Sequence, residues 1–93
     1  MPNVVLIGRW AARQLERVPS HIIKKLQGWV VLVETRGLAE ARRIPGFHDE
    51  PLRGQRTGQR SIRLNQAYRA IYTVSERGDI ELVTVEEVNK HDY

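Results

Sequence analysis

Between residues 53 and 69 the chain carries Arg53, Arg56, Arg60, Arg63 and Arg69, with no acid and no lysine among them. A guanidinium presents N–H donors in one plane and grips a phosphate through two hydrogen bonds, whereas a lysine offers a point charge. Five arginines and no lysine therefore point towards planar recognition of phosphate. The other groups with chemical potential stand at the end, in Asn89-Lys90-His91-Asp92-Tyr93. His91 can hold and release a proton near neutral pH, and Tyr93 adds a phenol two residues on. Together these residues suit a site that binds phosphate and can move a proton.

The remaining histidines carry less. His21 reads as a surface residue of a helix, and His48 as a loop residue with a turn or hydrogen-bonding role. Neither has partners at metal-ligand spacing. The chain has no cysteine, which excludes disulfide frameworks, thiolate zinc sites and cysteine nucleophiles and suits a reducing compartment. No metal or other cofactor is expected.

The elements that must position these groups are bounded by length. A chain of 93 residues makes one domain, 1–93, with one core and no second lobe, so its active surface must be an outer face or a groove. At 41% hydrophobic and 28% charged residues the composition is that of a folded globular protein. The net charge of +4 hides an asymmetry: residues 76–93 hold six acids against Arg77 and Lys90, enough to neutralise part of the arginine block. The start lacks a basic leader region, and the longest apolar run, Trp29–Val33, is five residues long against about 20 for a membrane helix. The expectation is a soluble cytoplasmic protein with no membrane partner.

Asn3 to Ile7 reads as a strand. After Gly8, Trp10, Ala11, Leu15 and Val18 fall on one side of a helix, which Pro19 stops because its ring cannot continue the hydrogen-bond ladder. Ser20 is placed to cap a second helix, whose apolar positions Ile22, Ile23, Leu26, Trp29, Val30 and Val33 keep helical spacing down to Gly37. Leu38 to Arg43 extends it by a turn or two. The stretch from Ile44 to Gly58, punctuated by Pro45, Gly46, Pro51, Gly54 and Gly58, is long for a connection in so small a domain and is a site candidate. Beyond it the pattern alternates, giving three strands with turns around Gln66 and Gly78. Ile62 and Leu64 share one face, which turns Ser61, Arg63 and Asn65 to the other. Tyr68, Ala70, Tyr72 and Val74 share a face, which turns Arg69 and Ile71 away from it. With helices covering one side of the sheet, Arg63 and Arg69 emerge together on its bare side.

Three features now combine: Glu50-Pro51-Leu52-Arg53 ahead of the sheet, Gly58 and Ser61 opening a strand, and Tyr68-Arg69-Ala70-Ile71-Tyr72 in the next. With a following strand and a C-terminal His and Tyr, they make the sequence resemble the RelE/ParE superfamily of bacterial toxin–antitoxin toxins. It is most similar to the RelE, YoeB and HigB branches. The resemblance implies an α+β fold ordered β-α-α-β-β-β, with two N-terminal helices packed on one face of a small, mainly antiparallel twisted sheet. It also implies a ribosome-dependent mRNA endonuclease of a type II toxin–antitoxin system, which attacks through the 2′-hydroxyl of RNA without a metal and inhibits translation.

By the same resemblance Glu50 matches a carboxylate near the attacking hydroxyl, a candidate general base, and Arg53 a basic residue touching the scissile phosphate. Arg69 matches the strand arginine that stabilises charge on the phosphorane. His91 and Tyr93 match a terminal pair in which one protonates the leaving 5′-oxygen and the other orients or stacks on the message. Arg56, Arg60, Arg63, Lys90 and Asp92 are candidate RNA contacts. Asp92 departs from the YoeB-like pattern by separating His91 from Tyr93, and Gln59-Arg60 replaces the usual aromatic pair. The partners implied are a cognate antitoxin, the ribosomal A site and mRNA. The alternatives are a ParE-like poison of DNA gyrase and a non-catalytic basic binding module.

Overall fold

The computed structural model describes residues 2–90. The apolar run after Pro2 forms strand β1 (Asn3–Ile7). The turn out of it passes so close to its neighbour that a side chain on Gly8 would meet the Val85 carbonyl oxygen at 3.0 Å; the Gly8 N–H donates to that oxygen at 2.8 Å. Helices α1 (Arg9–Leu15), α2 (Ser20–Arg36) and α3 (Leu38–Ala41) follow. Pro19, not Ser20, occupies the cap of α2, and its carbonyl accepts the N–H groups of Ile22 and Ile23. Gly37 ends the helix at φ 90°, a conformation that favours glycine.

Two short 3-10 turns, Pro45–Phe47 and Gly54–Arg56, flank the first of four further strands: β2 (Glu50–Pro51), β3 (Arg60–Arg63), β4 (Tyr68–Arg77) and β5 (Ile80–Lys90). The sheet order is β1-β5-β4-β3-β2. β1 runs parallel to β5, and the other pairs are antiparallel. The result is an α+β fold with the expected meander, to which the loop adds the two-residue strand β2. Ile71 pairs with Glu87 but Tyr72 with Val85, so Glu86 is an extra residue and β5 bulges there, which adds local twist.

One apolar cluster joins the helices to the inner side of the sheet: Ala11, Ile22, Leu26, Trp29, Val33, Leu38 and Ala41 meet Ile62, Ala70, Tyr72, Val83, Val85 and Val88. At its centre the Trp29 and Tyr72 rings lie 5.1 Å apart at 46°. Removing such a buried aromatic costs about 3–5 kcal/mol. Asn3 ties the ends of the domain together, accepting from the Leu38 N–H at 2.8 Å and donating to Glu81 at 2.6 Å. Among the described residues no helix is long and apolar enough to cross a membrane.

Two expectations need correction. Trp10 does not face the core: it is 59% exposed, because α1 turns Ala11 inward with Leu15 and Val18 half-buried beside it. Nor is the far side of the sheet bare, since Ile71 is fully buried there.

Candidate functional site

The strand register lays out the outer side of the sheet in rows. Glu50 stands opposite Ser61, Ser61 opposite Ile71, and Ile71 opposite Glu87. In the next row Arg63 stands opposite Arg69, and Arg69 opposite Asn89. Like charges facing each other across an antiparallel pair are destabilising, on a scale of roughly 0.2–1 kcal/mol for such pairs. The turn between β3 and β4 enforces the juxtaposition. The Asn65 side-chain oxygen accepts from the N–H groups of Ala67 and Tyr68, both at 2.7 Å, a short-range pattern characteristic of asparagine. The Leu64 N–H then donates to the Tyr68 carbonyl at 2.9 Å. The Arg69 Nε is buried and has no hydrogen-bond partner among the described residues. Buried donors are normally paired, because an unpaired one loses its hydration without compensation. A buried guanidinium nitrogen unpaired among the described residues, on a strand position facing a second arginine, can accept an anion.

The segment before β2 brings two more groups to this side. Phe47 enters the core, and the Asp49 side chain is fully buried. His48 between them is thrown outward in the left-handed conformation, φ 48° and ψ 51°. Its Nε2 lies 3.7 Å from Glu50 Oε2, with both side chains more than half exposed. His48 and Glu50 line one cleft with Ser61, Arg63, Tyr68 and Arg69. The structure thus unites the predicted Glu50, Arg63 and Arg69 and adds His48, which sequence reasoning assigned to a turn. The hint lay in Phe-His-Asp-Glu, where His48 and Glu50 sit two apart on either side of a residue that is held.

Arg60 is not brought to the cleft. It shares the inner side of the sheet with Tyr72, its register partner. Arg60 Nε donates to Asp49 at 2.6 Å, the Tyr72 hydroxyl donates to the other Asp49 oxygen at 2.6 Å, and Arg42 Nε donates to the Tyr72 oxygen at 3.3 Å. Burial, and after it the hydrogen bond to Asp49, push the Tyr72 hydroxyl up to about 12. At Arg60 burial favours loss of the proton, but the Asp49 carboxylate outweighs it and the pKa rises. This is a closed structural network.

Arg56 also has a partner, since it meets both Glu87 oxygens, at 2.9 and 3.4 Å. As Glu87 stands opposite Ile71, the bridge ties the β2–β3 loop across the sheet in the row of that buried side chain. Arg53 is exposed in this loop and is not among the residues lining the cleft. Lys90 pairs with Tyr68, which places it on the opposite parity from Arg69. His91, Asp92 and Tyr93 lie outside the described residues.

Neither a protein-family model nor a curated protein matches the sequence. Solved structures do match. The chain is similar to the YoeB/ParE toxin of Agrobacterium tumefaciens at 22% identity, over 99% of this chain and 100% of that one, with a TM-score of 0.67. It is similar at 21% identity to a chain of the Mycobacterium tuberculosis toxin–antitoxin complex RelBE2, over 98% of this chain and 100% of that one, with a TM-score of 0.70. A chain of the Escherichia coli DinJ–YafQ toxin–antitoxin complex shares 16% identity, over 98% of this chain and 94% of that one, at a TM-score of 0.75. The fold is that of the RelE/YoeB-like toxins.

Proposed function

We propose that the protein is the toxin of a type II toxin–antitoxin system and an endoribonuclease that cleaves mRNA on the ribosome. The observation that carries this reading is Arg69, whose buried Nε has no partner among the described residues, set opposite Arg63 in a cleft that also holds Glu50 and His48. The fold is shared with toxins solved in complexes with antitoxins, which supports a cognate antitoxin as partner.

RNA supplies its own nucleophile. The protein's task is to align the 2′-hydroxyl with the phosphorus, take its proton, and offset the negative charge that grows on the phosphorane. Arg69 and Arg63 serve the last need: losing a donor aimed at developing charge typically costs about 3–4 kcal/mol. The Glu50 side of the cleft serves proton removal, and general acid and base steps are each worth about 10²- to 10⁴-fold. His91 and Tyr93 keep the role their types suggest, with one of them protonating the departing 5′-oxygen. The product is a cyclic 2′,3′-phosphate.

Primer extension on translated and untranslated messages tests the reading. Breaks within codons are expected only when ribosomes are present. Intact messages accompanied by trapped gyrase–DNA breaks would replace the nuclease with a gyrase poison. Removal of His91, Asp92 and Tyr93 is expected to abolish cleavage and leave the melting temperature almost unchanged.

A further inference from the structure

Resting on the reading of the cleft as a ribonuclease site, we propose that His48 is its general base and that Glu50 acts through it, orienting the ring and balancing its charge. Among the described residues His48 is the one non-glycine with positive φ. A left-handed residue with a side chain costs roughly 1–2 kcal/mol, and such conformations persist where their surroundings over-determine them. Here both flanks are pinned. Phe47 is packed in the core, and Asp49 is gripped by Arg60 and the Tyr72 hydroxyl, each at 2.6 Å. The His48 N–H is tied to the Pro45 carbonyl at 3.0 Å. The chain therefore holds the imidazole over the cleft at the expense of backbone comfort.

The chemistry favours imidazole over carboxylate for this step. A base works best when its pKa lies near the operating pH, and free imidazole titrates near 6.5 against about 4.3 for a glutamate carboxyl. Glu50 Oε2 lies 3.7 Å from His48 Nε2, too far for a hydrogen bond, but its negative charge favours a proton on that nitrogen, which leaves Nδ1 as acceptor. In the step, the O2′–H bond breaks and its proton moves to Nδ1. The oxygen pair forms the O2′–P bond, and the P–O5′ bond breaks with its electrons staying on O5′. That oxygen takes a proton from a general acid, which solvent reprotonates, and His48 returns its own proton to solvent. The imidazolium formed meanwhile faces the Glu50 carboxylate, so this end of the cleft passes from one negative charge to none while Arg63 and Arg69 face the phosphate.

The full-length protein, assayed for cleavage of ribosome-bound mRNA, tests the assignment. His48→Asn keeps a residue that tolerates the left-handed conformation, so folding is preserved. It should slow cleavage by about 10²-fold or more while an RNA fragment binds as before. His48→Gly, which suits the same φ, should be equally slow and should regain activity as free imidazole is added. Glu50→Gln should lose less than His48→Asn, because it leaves the base in place. Cleavage by His48→Asn within about threefold of wild type, far short of the general-base contribution, would overturn the assignment, as would a His48→Gly protein that imidazole cannot rescue. If instead the wild-type protein fails to cleave translated messages, the nuclease reading falls and the role of His48 with it. Wild-type cleavage indifferent to His48 removes this assignment alone.

Discussion

The two sides of strands β3 and β4 treat arginine in opposite ways. On the inner side Arg60 meets a fully buried carboxylate, and Asp49 is itself shared with Tyr72. On the outer side, three residues along the same strands, Arg63 faces Arg69, and the Arg69 Nε is buried without a partner among the described residues. The inner charge is neutralised within the protein and helps define the fold. The outer pair is opposed by its own charge, and the phosphate of a substrate would complete it. Charge density along the sequence says nothing of this difference; facing and partnership decide it.

That contrast can be broken by experiment. The largest effect belongs to Arg69→Ala, which should lower mRNA cleavage by about 10²- to 10³-fold. Because it relieves a like-charge pair, its melting temperature should stay level or rise. An Arg69→Ala protein that melts early yet cleaves well would reverse the assignment of the two faces. Asp49→Ala comes next, since it strands Arg60 and the Tyr72 hydroxyl together. A loss of roughly 2–3 kcal/mol is expected, read as a shifted urea midpoint with unchanged slope.

Tyr72→Phe is milder, at about 1 kcal/mol, but it carries a pH signature. The folded state holds the Tyr72 proton up to about 12, whereas an unfolded chain releases it near 10. Between those values the folded state binds more protons, so stability is full below pH 10 and falls as pH rises towards 12. This contribution to the alkaline decline should be missing from Tyr72→Phe, and denaturation curves at pH 9 and 11 would show whether it is. Arg56→Ala is the smallest change: it removes a partly exposed ion pair to Glu87, worth at most about 1 kcal/mol. A larger loss would show that the loop bridge, like the Asp49 network, belongs to the framework.

Much of this was legible in the chain. Period-two alternation placed Arg63 and Arg69 on one side of the sheet, and the register bears it out. The same parity, carried one residue further back, joins Arg60 to Ile62 and Leu64 on the inner side. Grouping five arginines by charge obscured it. Trp10 was misplaced because α1 is only seven residues long, so a difference of one position, about 100° around the helix, moves a side chain from core to solvent. The burial of Ile71 was hidden because local alternation assigns a residue to a sheet face without saying what else packs on that face. His48 escaped because a left-handed residue between two anchors has no periodicity to betray it. Phe47 and Asp49 reveal the position only once their burial is known.

The parallel pairing of β1 with β5 joins residues as distant as Asn3 and Glu81, with β5 inserted between β1 and β4. As the polypeptide emerges from the ribosome, its first strand must wait for residues 80–90 before finding its neighbour. The helices and the β3–β4 hairpin can gather earlier, but the sheet cannot be joined across its middle until β5 has been made. A half-made copy therefore lacks the assembled sheet on which the cleft depends.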